Sequence, residues 1–285
     1  MPMEKWLHAP KPKYFKRLEF ANENLEDLIP FIDWNYFYLS WNVQANTEIA
    51  KDLKTDALKV LDEIVQNRLT ETRAVVSFFK VRRIGDSLNV LSPSACSCCP
   101  SKVLTRIHFL RMQESLNNEP LLSLADYFSP YEEDYIGLFA LSSAFGIENA
   151  IKKAEGDDYK ALLYSTLAIR LTEAYAEKLH RDVMQKWWGY TSAVSGIRPV
   201  PGYPTCPDHS EIRTVWNLLN PETVGLSMTE NNMMIPEASV CGYYIAHPKS
   251  KYFTIKHIGT DQLEDYAKRK SWSISFAKKE LARLL

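Results

Sequence analysis

The chain has 285 residues, with 34 Lys and Arg against 35 Asp and Glu, and a formal net charge of −1. Its 46% hydrophobic and 24% charged content are those of an ordinary globular protein, and the balanced charge argues against nucleic-acid binding through a broad basic face. No apolar run reaches the roughly 18 residues of a membrane-spanning helix, and residues 1–6 lack the apolar core of a signal peptide. We therefore expect a cytoplasmic protein that makes no use of a membrane.

The first half of the chain predicts one helix and part of a β-sheet. Apolar residues recur at three- and four-residue steps over residues 52–69, as they do on one face of a helix. Residues 73–81 and 87–91 are rich in apolar residues and flank a turn containing Gly85, which predicts a β-hairpin. Three further segments are a strand or a helix at 102–112, a short helix or turn at 121–128, and a strand at 135–142.

The second half begins with a long predicted helix. Asp157 or Asp158 can cap it, and its apolar stripe extends to about Trp188, just before Gly189. After a segment rich in Pro and Gly, the pattern predicts a helix at 210–219, strands at 239–245 and 252–258, and closing helices at 262–270 and 274–285. Helices and strands are mixed without a βαβ rhythm, so the predicted fold class is α+β with a mainly antiparallel sheet.

The five cysteines do not form a disulfide framework, because their number is odd and the chain is long. Cys96, Cys98 and Cys99 lie close together in a segment rich in Ser and Pro. They could bind a metal, but a zinc site of this type needs a further Cys or His pair, and Cys206 and Cys241 stand apart. We therefore favour a loop with incidental thiols and expect no metal.

Acidic residues at two places could take part in binding. Glu173, Glu177 and His180 share one face of the long predicted helix. Glu-x-x-His is half of a di-metal motif, but such bundles need it twice and it occurs here once. The alternatives are a solvated helix face and a carboxylate that meets a ligand. Asp33 lies in an aromatic stretch and should be partly buried, which favours a capping or structural role over a ligand role.

The Pro/Gly-rich residues 196–204 are the most informative segment. Pro199, Pro201 and Pro204 stiffen the backbone, and Arg198 carries a planar guanidinium suited to a carboxylate. The chain has no Gly-x-Gly-x-x-Gly motif, no Walker loop and no Gly-x-Ser-x-Gly motif. These absences argue against a Rossmann dinucleotide site, a P-loop and the common serine hydrolase fold.

The same segment resembles a known family. Residues 196–209 read Gly-Ile-Arg-Pro-Val-Pro-Gly-Tyr-Pro-Thr-Cys-Pro-Asp-His, which is similar to the signature of the activation domain of cobalamin-dependent methionine synthase. Other similar segments are residues 32–34, 82–86, 171–177, 188–190, 226–230, 247–252 and 261–267. Because they span most of the chain, we expect residues 1–285 to form one activation-domain-like unit.

The resemblance implies a C-shaped α+β domain whose bent, mainly antiparallel sheet is flanked by helices. Activation domains bind S-adenosylmethionine beside cobalamin that has been oxidised to cob(II)alamin. A flavodoxin-type donor supplies an electron, and the methyl group of S-adenosylmethionine restores methylcobalamin. The positions that contact S-adenosylmethionine in the family match Asp33, Glu173, Arg198, Val200 (through its backbone), Tyr203 and Tyr252. Tyr203 and His209 are expected to face the cobalamin partner.

The chemistry of these residues suits that ligand. Arg198 can hold the α-carboxylate with two hydrogen bonds. Asp33 and Glu173 can offset the ammonium and sulfonium charges or accept hydrogen bonds from hydroxyl groups. Tyr203 and Tyr252 offer flat faces to adenine or to the sulfonium.

Sequence features of the other synthase modules are missing from the chain. We find no Asp-x-His-x-x-Gly stretch of a cobalamin module and no thiols of a homocysteine module. We therefore expect a separate activation subunit of a split methionine synthase, a methyltransferase component that does not make methionine alone. Alternatives are a reactivation module for another corrinoid protein, a sensor of S-adenosylmethionine, and a protein that keeps the fold without the ligand. The last is disfavoured because all six ligand positions hold the expected residue types.

Overall fold

The structure, a computed structural model, describes residues 10–93, 101–115, 120–189 and 196–285. The α-helices are α1 (Trp34–Ser40), α2 (Glu48–Gln66), α3 (Ile147–Lys153), α4 (Asp158–Asp182), α5 (Glu211–Leu219), α6 (Thr260–Lys270) and α7 (Ile274–Glu280). The strands are β1 (Leu18–Ala21), β2 (Glu71–Ile84), β3 (Ser87–Leu91), β4 (Val103–His108), β5 (Asp134–Phe145), β6 (Ser227–Met228), β7 (Met234–Ile235) and β8 (Ser239–Tyr244). This mixture of helices and antiparallel strands confirms the predicted fold class.

The long strand β2 organises the main sheet. The strand order is β4-β3-β2-β5-β8, with β1 also paired to β2, and every pairing is antiparallel. The predicted hairpin is confirmed as β2 and β3, which pair from Lys80↔Leu91 to Ile84↔Ser87 around the turn. The ambiguous residues 102–112 contain strand β4, and the predicted strands at 135–142 and 239–245 are β5 and β8.

Helices cover both faces of this sheet because its strands carry apolar residues on both sides. Val76 of β2 belongs to a core with residues of α2, α3 and α4, whereas its neighbour Val75 belongs to a second core with residues of α5. A smaller core joins α6 and α7 to Leu110 and Ile255. The C-terminal helices therefore pack at the end of the molecule where the chain leaves β4 and β8.

Capping residues explain where the two longest helices begin. The Thr47 side chain accepts a hydrogen bond from the backbone N–H of Ala50, so α2 begins four residues before the predicted start and also ends before residue 69. Asp157 caps α4 as predicted, and a π-helical turn (Val183–Trp188) carries the helix to Gly189. No helix in the described ranges is long and apolar enough to cross a membrane.

One predicted strand is wrong, and five of the helices and strands given above were missed. Exposed side chains alternate with more buried ones only over residues 252–256, and residues 252–258 run as extended chain outside the sheet, bonded to the Pro/Gly-rich segment and to Leu284 instead of a strand. The missed elements are β1, β6, β7, α1 and α3, which have two to seven residues and are too short for a periodic pattern to identify. The predicted loop with Cys96, Cys98 and Cys99 lies outside the described residues.

Candidate functional site

The Pro/Gly segment, which we define as residues 196–207, extends the main sheet beyond β8. Ile197 and Ile245 exchange two backbone hydrogen bonds of 3.0 and 2.9 Å. The backbone N–H of Tyr243 then donates to the carbonyl oxygen of Pro199 at 2.9 Å. The start of the segment is thus held in an extended form at the sheet edge, as its prolines favour.

Two glycines allow this close packing. A Cβ on Gly242 would lie 2.5 Å from the carbonyl oxygen of Pro199, so only glycine lets the segment approach β8. Gly202 has a φ of +92°, and a Cβ there would lie 2.9 Å from Cδ2 of His209. The His209 ring therefore packs over the turn that presents Tyr203.

Residues 251–258 form an extended strap beside the Pro/Gly segment. The backbone N–H of Ile255 donates to the carbonyl oxygen of Pro204 at 3.0 Å. The hydroxyl of Tyr252 accepts a hydrogen bond from the backbone N–H of Arg198 at 2.9 Å. The Thr205 hydroxyl also donates to the carbonyl oxygen of Phe253 at 2.6 Å, so the strap is tied to the Pro/Gly segment at three points.

A cleft of about 720 Å³ opens between the strap, the Pro/Gly segment, α4 and the start of α1. All six residues predicted to contact S-adenosylmethionine line it: Asp33, Glu173, Arg198, Val200, Tyr203 and Tyr252. Other lining residues include Phe31, Tyr36, Arg170, Glu177, Phe253 and Thr254. The structure thus brings together residues that lie up to 219 positions apart in the chain, counting from Asp33 to Tyr252.

A cation between two carboxylates forms the charged centre of the cleft. Arg198 lies 3.1 Å from a carboxylate oxygen of Glu177 and 3.8 Å from one of Glu173, and its side chain is 18% exposed. Burial alone would lower the pKa of Arg198, but the carboxylates, Glu177 foremost, raise it above its ordinary value. Arg198 is therefore a permanent cation whose nearest partners are partly open to solvent.

His180, the third member of the predicted helix face, lies behind this centre. Its ring stacks on Tyr244 at a centroid distance of 5.3 Å. Burial, with Arg198 as the second cause, lowers the pKa of His180 to about 4, so the ring is neutral at pH 7. On this face of α4, the two carboxylates therefore lie at the cleft and the neutral imidazole packs behind them.

The sequence predicted that Asp33 is partly buried, and this prediction is wrong. The residue is exposed at the N-terminus of α1, where its side chain accepts a hydrogen bond from the backbone N–H of Asn35 at 2.9 Å. Because the cap lies at the cleft, Asp33 combines the capping role with a place in the cleft lining.

The remaining predicted residues are distributed along the rim. The side chains of Tyr203 and Tyr252 are both more than half exposed. Val200 is half-buried, and its backbone carbonyl accepts a hydrogen bond from the N–H of Tyr203 at 3.2 Å. His209 is exposed and does not line the cleft. Two flat aromatic side chains therefore stand at the entrance.

The sequence reasoning missed Arg170, one turn before Glu173 on α4. Its guanidinium lies 5.9 Å from the ring of Tyr36, which also lines the cleft. Its buried Nε has no hydrogen-bond partner among the residues that the structure describes. The three-residue spacing from Glu173 was the signal that could have identified it.

No metal centre is evident in the described part of the chain. Within those ranges, no group of three or more His, Cys, Asp or Glu residues is arranged to hold a metal ion. Cys206 and Cys241 are buried and unpaired, and burial raises the pKa of the Cys241 thiol to about 12. These two thiols are therefore protonated and inert at neutral pH.

Comparison with known proteins agrees with the resemblance seen in the sequence. The sequence profile of the family described as "Vitamin B12 dependent methionine synthase, activation domain" matches residues 24–271. A solved structure described as "Crystal Structure of the MetH Reactivation Domain bound to AdoHcy" is similar, with a TM-score of 0.88 and 33% sequence identity. The match covers 98% of this chain and 93% of that chain. The predicted resemblance is confirmed, and this chain belongs to the family of activation domains of vitamin B12-dependent methionine synthase.

Proposed function

We propose that this chain binds S-adenosylmethionine in the cleft and presents its methyl group to a cobalamin that a partner protein holds. The observation that carries the proposal is the Arg198 centre with its two glutamates, set in a cleft of about 720 Å³. That volume lies within the roughly 300–1,000 Å³ of small-molecule sites. The similar reactivation domain was crystallised with AdoHcy, the product that remains when S-adenosylmethionine loses its methyl group.

Arg198 is the proposed contact for the α-carboxylate of the ligand. Its guanidinium has five donors, and in the described structure one of them bonds Glu177 at 3.1 Å while Glu173 lies farther away. A ligand carboxylate can therefore take a position beside the guanidinium and form two parallel hydrogen bonds.

The carboxylates are the proposed contacts for the positive groups of the ligand. S-adenosylmethionine carries an ammonium and a sulfonium, and Asp33, Glu173 and Glu177 all line the cleft. The exposed rings of Tyr203 and Tyr252 offer faces for adenine or for the sulfonium. Each charged group of the ligand then meets a side chain of opposite charge or an aromatic face.

Calorimetry with S-adenosylmethionine and AdoHcy tests the binding. We expect a dissociation constant in the micromolar range for S-adenosylmethionine, about −8 kcal/mol. AdoHcy lacks the sulfonium charge and should bind more weakly if the carboxylates face that charge. Arg213→Ala serves as a control, because Arg213 bonds Asn232, Thr229 and Glu230 outside the cleft. Absence of heat and of a thermal shift at millimolar ligand would refute the proposal.

The partner is proposed to be the cobalamin-binding protein of a split methionine synthase, with a flavodoxin-type donor as the source of the electron. Cobalamin supplies the reduced cobalt that accepts the methyl group. This chain binds and orients the methyl donor and offers Tyr203 and His209 at the contact. The near-zero net charge implies weak long-range steering, so association should depend only moderately on salt.

An assay of methyl transfer tests the partnership. It combines a cob(II)alamin-loaded partner, a reductant and S-adenosylmethionine labelled in its methyl group, and follows the label on the corrinoid. His209→Ala should impair this transfer more than it impairs binding of S-adenosylmethionine. Equal losses would place His209 in the ligand site, and no transfer with any corrinoid protein would favour a sensor of S-adenosylmethionine.

A further inference from the structure

A second cation lies between two carboxylates, on the side of the Pro/Gly segment away from the cleft. The ammonium of Lys270, at the end of α6, lies 3.1 Å from a carboxylate oxygen of Asp208 and 2.7 Å from one of Glu211. The exposed fractions of these side chains are 9% for Lys270, 3% for Asp208 and 0% for Glu211. The hydroxyl of Tyr266 also donates to Asp208 at 2.6 Å.

This buried cluster is costly to assemble. Removing ions from water is unfavourable, and the gain from pairing offsets that cost only when the geometry is good. One oxygen of Glu211 even lacks a hydrogen-bond partner among the described residues. Apolar side chains would fill such a space at a lower cost. We therefore expect the cluster to fix the position of the chain around Asp208 in addition to any stability that it contributes.

The cluster connects directly to the turn that carries the partner-facing residues. Asp208 accepts a hydrogen bond from the backbone N–H of Ser210 at 2.8 Å and immediately precedes His209. The His209 ring packs over Gly202, whose N–H donates to the carbonyl oxygen of Cys206 at 2.7 Å. Displacement of Asp208 would thus move His209 and the turn that begins at Gly202.

We propose that Lys270 and Tyr266 are positioning residues, which hold Asp208 and thereby set the orientation of His209 and, through the turn at Gly202, that of Tyr203 at the cleft. Asp208 belongs to a loop, whereas Glu211 belongs to α5, so loss of the lysine displaces Asp208 first. The inference rests on the proposed function, because only that function gives the orientation a role in binding. The orientation itself can be measured without ligand.

The experiment compares Lys270→Met and the milder Tyr266→Phe with Arg269→Met. Arg269 is a neighbouring cation on α6 that also lies over the ring of Tyr266, at 5.0 Å from its centroid, but it bonds Ser87 and the backbone of Asp86 and Phe109 instead of Asp208. Arg269→Met therefore tests whether the loss of a cation beside Tyr266 has an effect without the contact to Asp208. The first readout is the ring NMR signal of His209 in the ligand-free protein, assigned by its absence in His209→Asn. The second readout is the dissociation constant for S-adenosylmethionine, measured where each variant is folded.

Lys270→Met should shift the His209 signal and weaken binding about tenfold, or about 1.4 kcal/mol. Tyr266→Phe should shift the His209 signal and weaken binding in the same direction, but by less. Arg269→Met should change neither the signal nor the affinity, although it lowers stability. An unshifted His209 signal in both test variants would overturn the inference, as would an equal shift in Arg269→Met. If the wild-type protein binds no S-adenosylmethionine, the proposed function fails while the His209 signal still decides this inference.

Discussion

Two charge clusters, each made of one cation and two carboxylates, lie on opposite sides of the Pro/Gly segment. In the cleft, Arg198 lies between Glu173 and Glu177, whose side chains are 37% and 48% exposed. Behind the segment, Lys270 lies between Asp208 and Glu211, which are almost fully buried. The Arg198 guanidinium is therefore accessible to a carboxylate of a ligand, whereas the Lys270 ammonium is enclosed with the two carboxylates that it already contacts.

We infer that burial, more than residue type, distinguishes the proposed binding site from a structural ion cluster. Arg198 contacts Glu173 only at 3.8 Å, so the open cluster is incompletely paired. Lys270 has two close carboxylate contacts and a further hydrogen bond to Ser210 at 3.1 Å.

The largest effect should come from breaking the closed cluster. Lys270→Met leaves two buried carboxylates without a counter-charge and should lower the free energy of unfolding by about 3–5 kcal/mol. Arg198→Met should cost less than about 1 kcal/mol, because its carboxylate partners stay solvated. Urea unfolding followed by tryptophan fluorescence measures both values. Equal losses in the two variants would mean that the clusters do not differ as described.

Binding of S-adenosylmethionine should be weakened more by substitution of Arg198 than by substitution of Lys270. Arg198→Ala should weaken binding of S-adenosylmethionine by about 2–3 kcal/mol, because a charge-assisted contact with the carboxylate is lost. Arg198→Lys should recover only part of this, since an ammonium cannot form two parallel hydrogen bonds to a carboxylate. Calorimetry checks both, with Arg213→Ala as the control. Unchanged affinity in the two Arg198 variants would remove Arg198 from the site.

Each cluster also has a buried histidine beside it, which predicts how stability depends on pH. Burial, followed by nearby cations, lowers the pKa of both His108 and His180 to about 4. The unfolded chain therefore binds more protons than the folded one between about pH 6.5 and 4. Stability should fall as the pH is lowered from 7 to 5, by about 2 kcal/mol for each histidine.

The variants His108→Gln and His180→Gln should each flatten this pH dependence, as measured by urea unfolding at several pH values. The nearby cations differ, because Arg198 acts on His180 whereas Arg269 and Lys270 act on His108. Arg198→Ala should therefore raise the pKa of His180 and leave that of His108 unchanged in an NMR titration. A slope that persists in both Gln variants would assign the dependence to other groups.

The sequence predicted the open cleft better than the closed cluster. Local patterns predicted the hairpin, the long helix α4 and strands β5 and β8, and the family resemblance, strongest around Arg198, supplied the six cleft residues. Lys270 and Asp208 lie 62 positions apart, and no local spacing connects them. Their meeting depends on how α6 packs against the loop before α5, which is a tertiary contact.

The error at residues 252–258 has a similar cause. Alternating exposed and buried residues predict an extended chain, but not what it pairs with. Here the strap bonds the Pro/Gly segment, and that pairing exposes Tyr252 at the cleft. The burial of Asp33 was misjudged because its aromatic neighbours face the core while its own side chain caps α1.

The smallest predicted effect concerns Asp33, where capping and binding meet in one side chain. Asn is also a good N-cap, so Asp33→Asn should leave the free energy of unfolding within a few tenths of a kcal/mol of wild type. It removes the negative charge at the cleft, so S-adenosylmethionine should bind a few-fold more weakly, by about 0.5–1 kcal/mol as for other exposed charges. Asp33→Ala should show the same loss of affinity and lose about 1 kcal/mol of stability in addition. Thr47→Ala, which removes the cap of α2 outside the cleft, should lower stability without changing the affinity. If Asp33→Asn bound S-adenosylmethionine as tightly as the wild-type protein in calorimetry at low salt, Asp33 would be a cap alone.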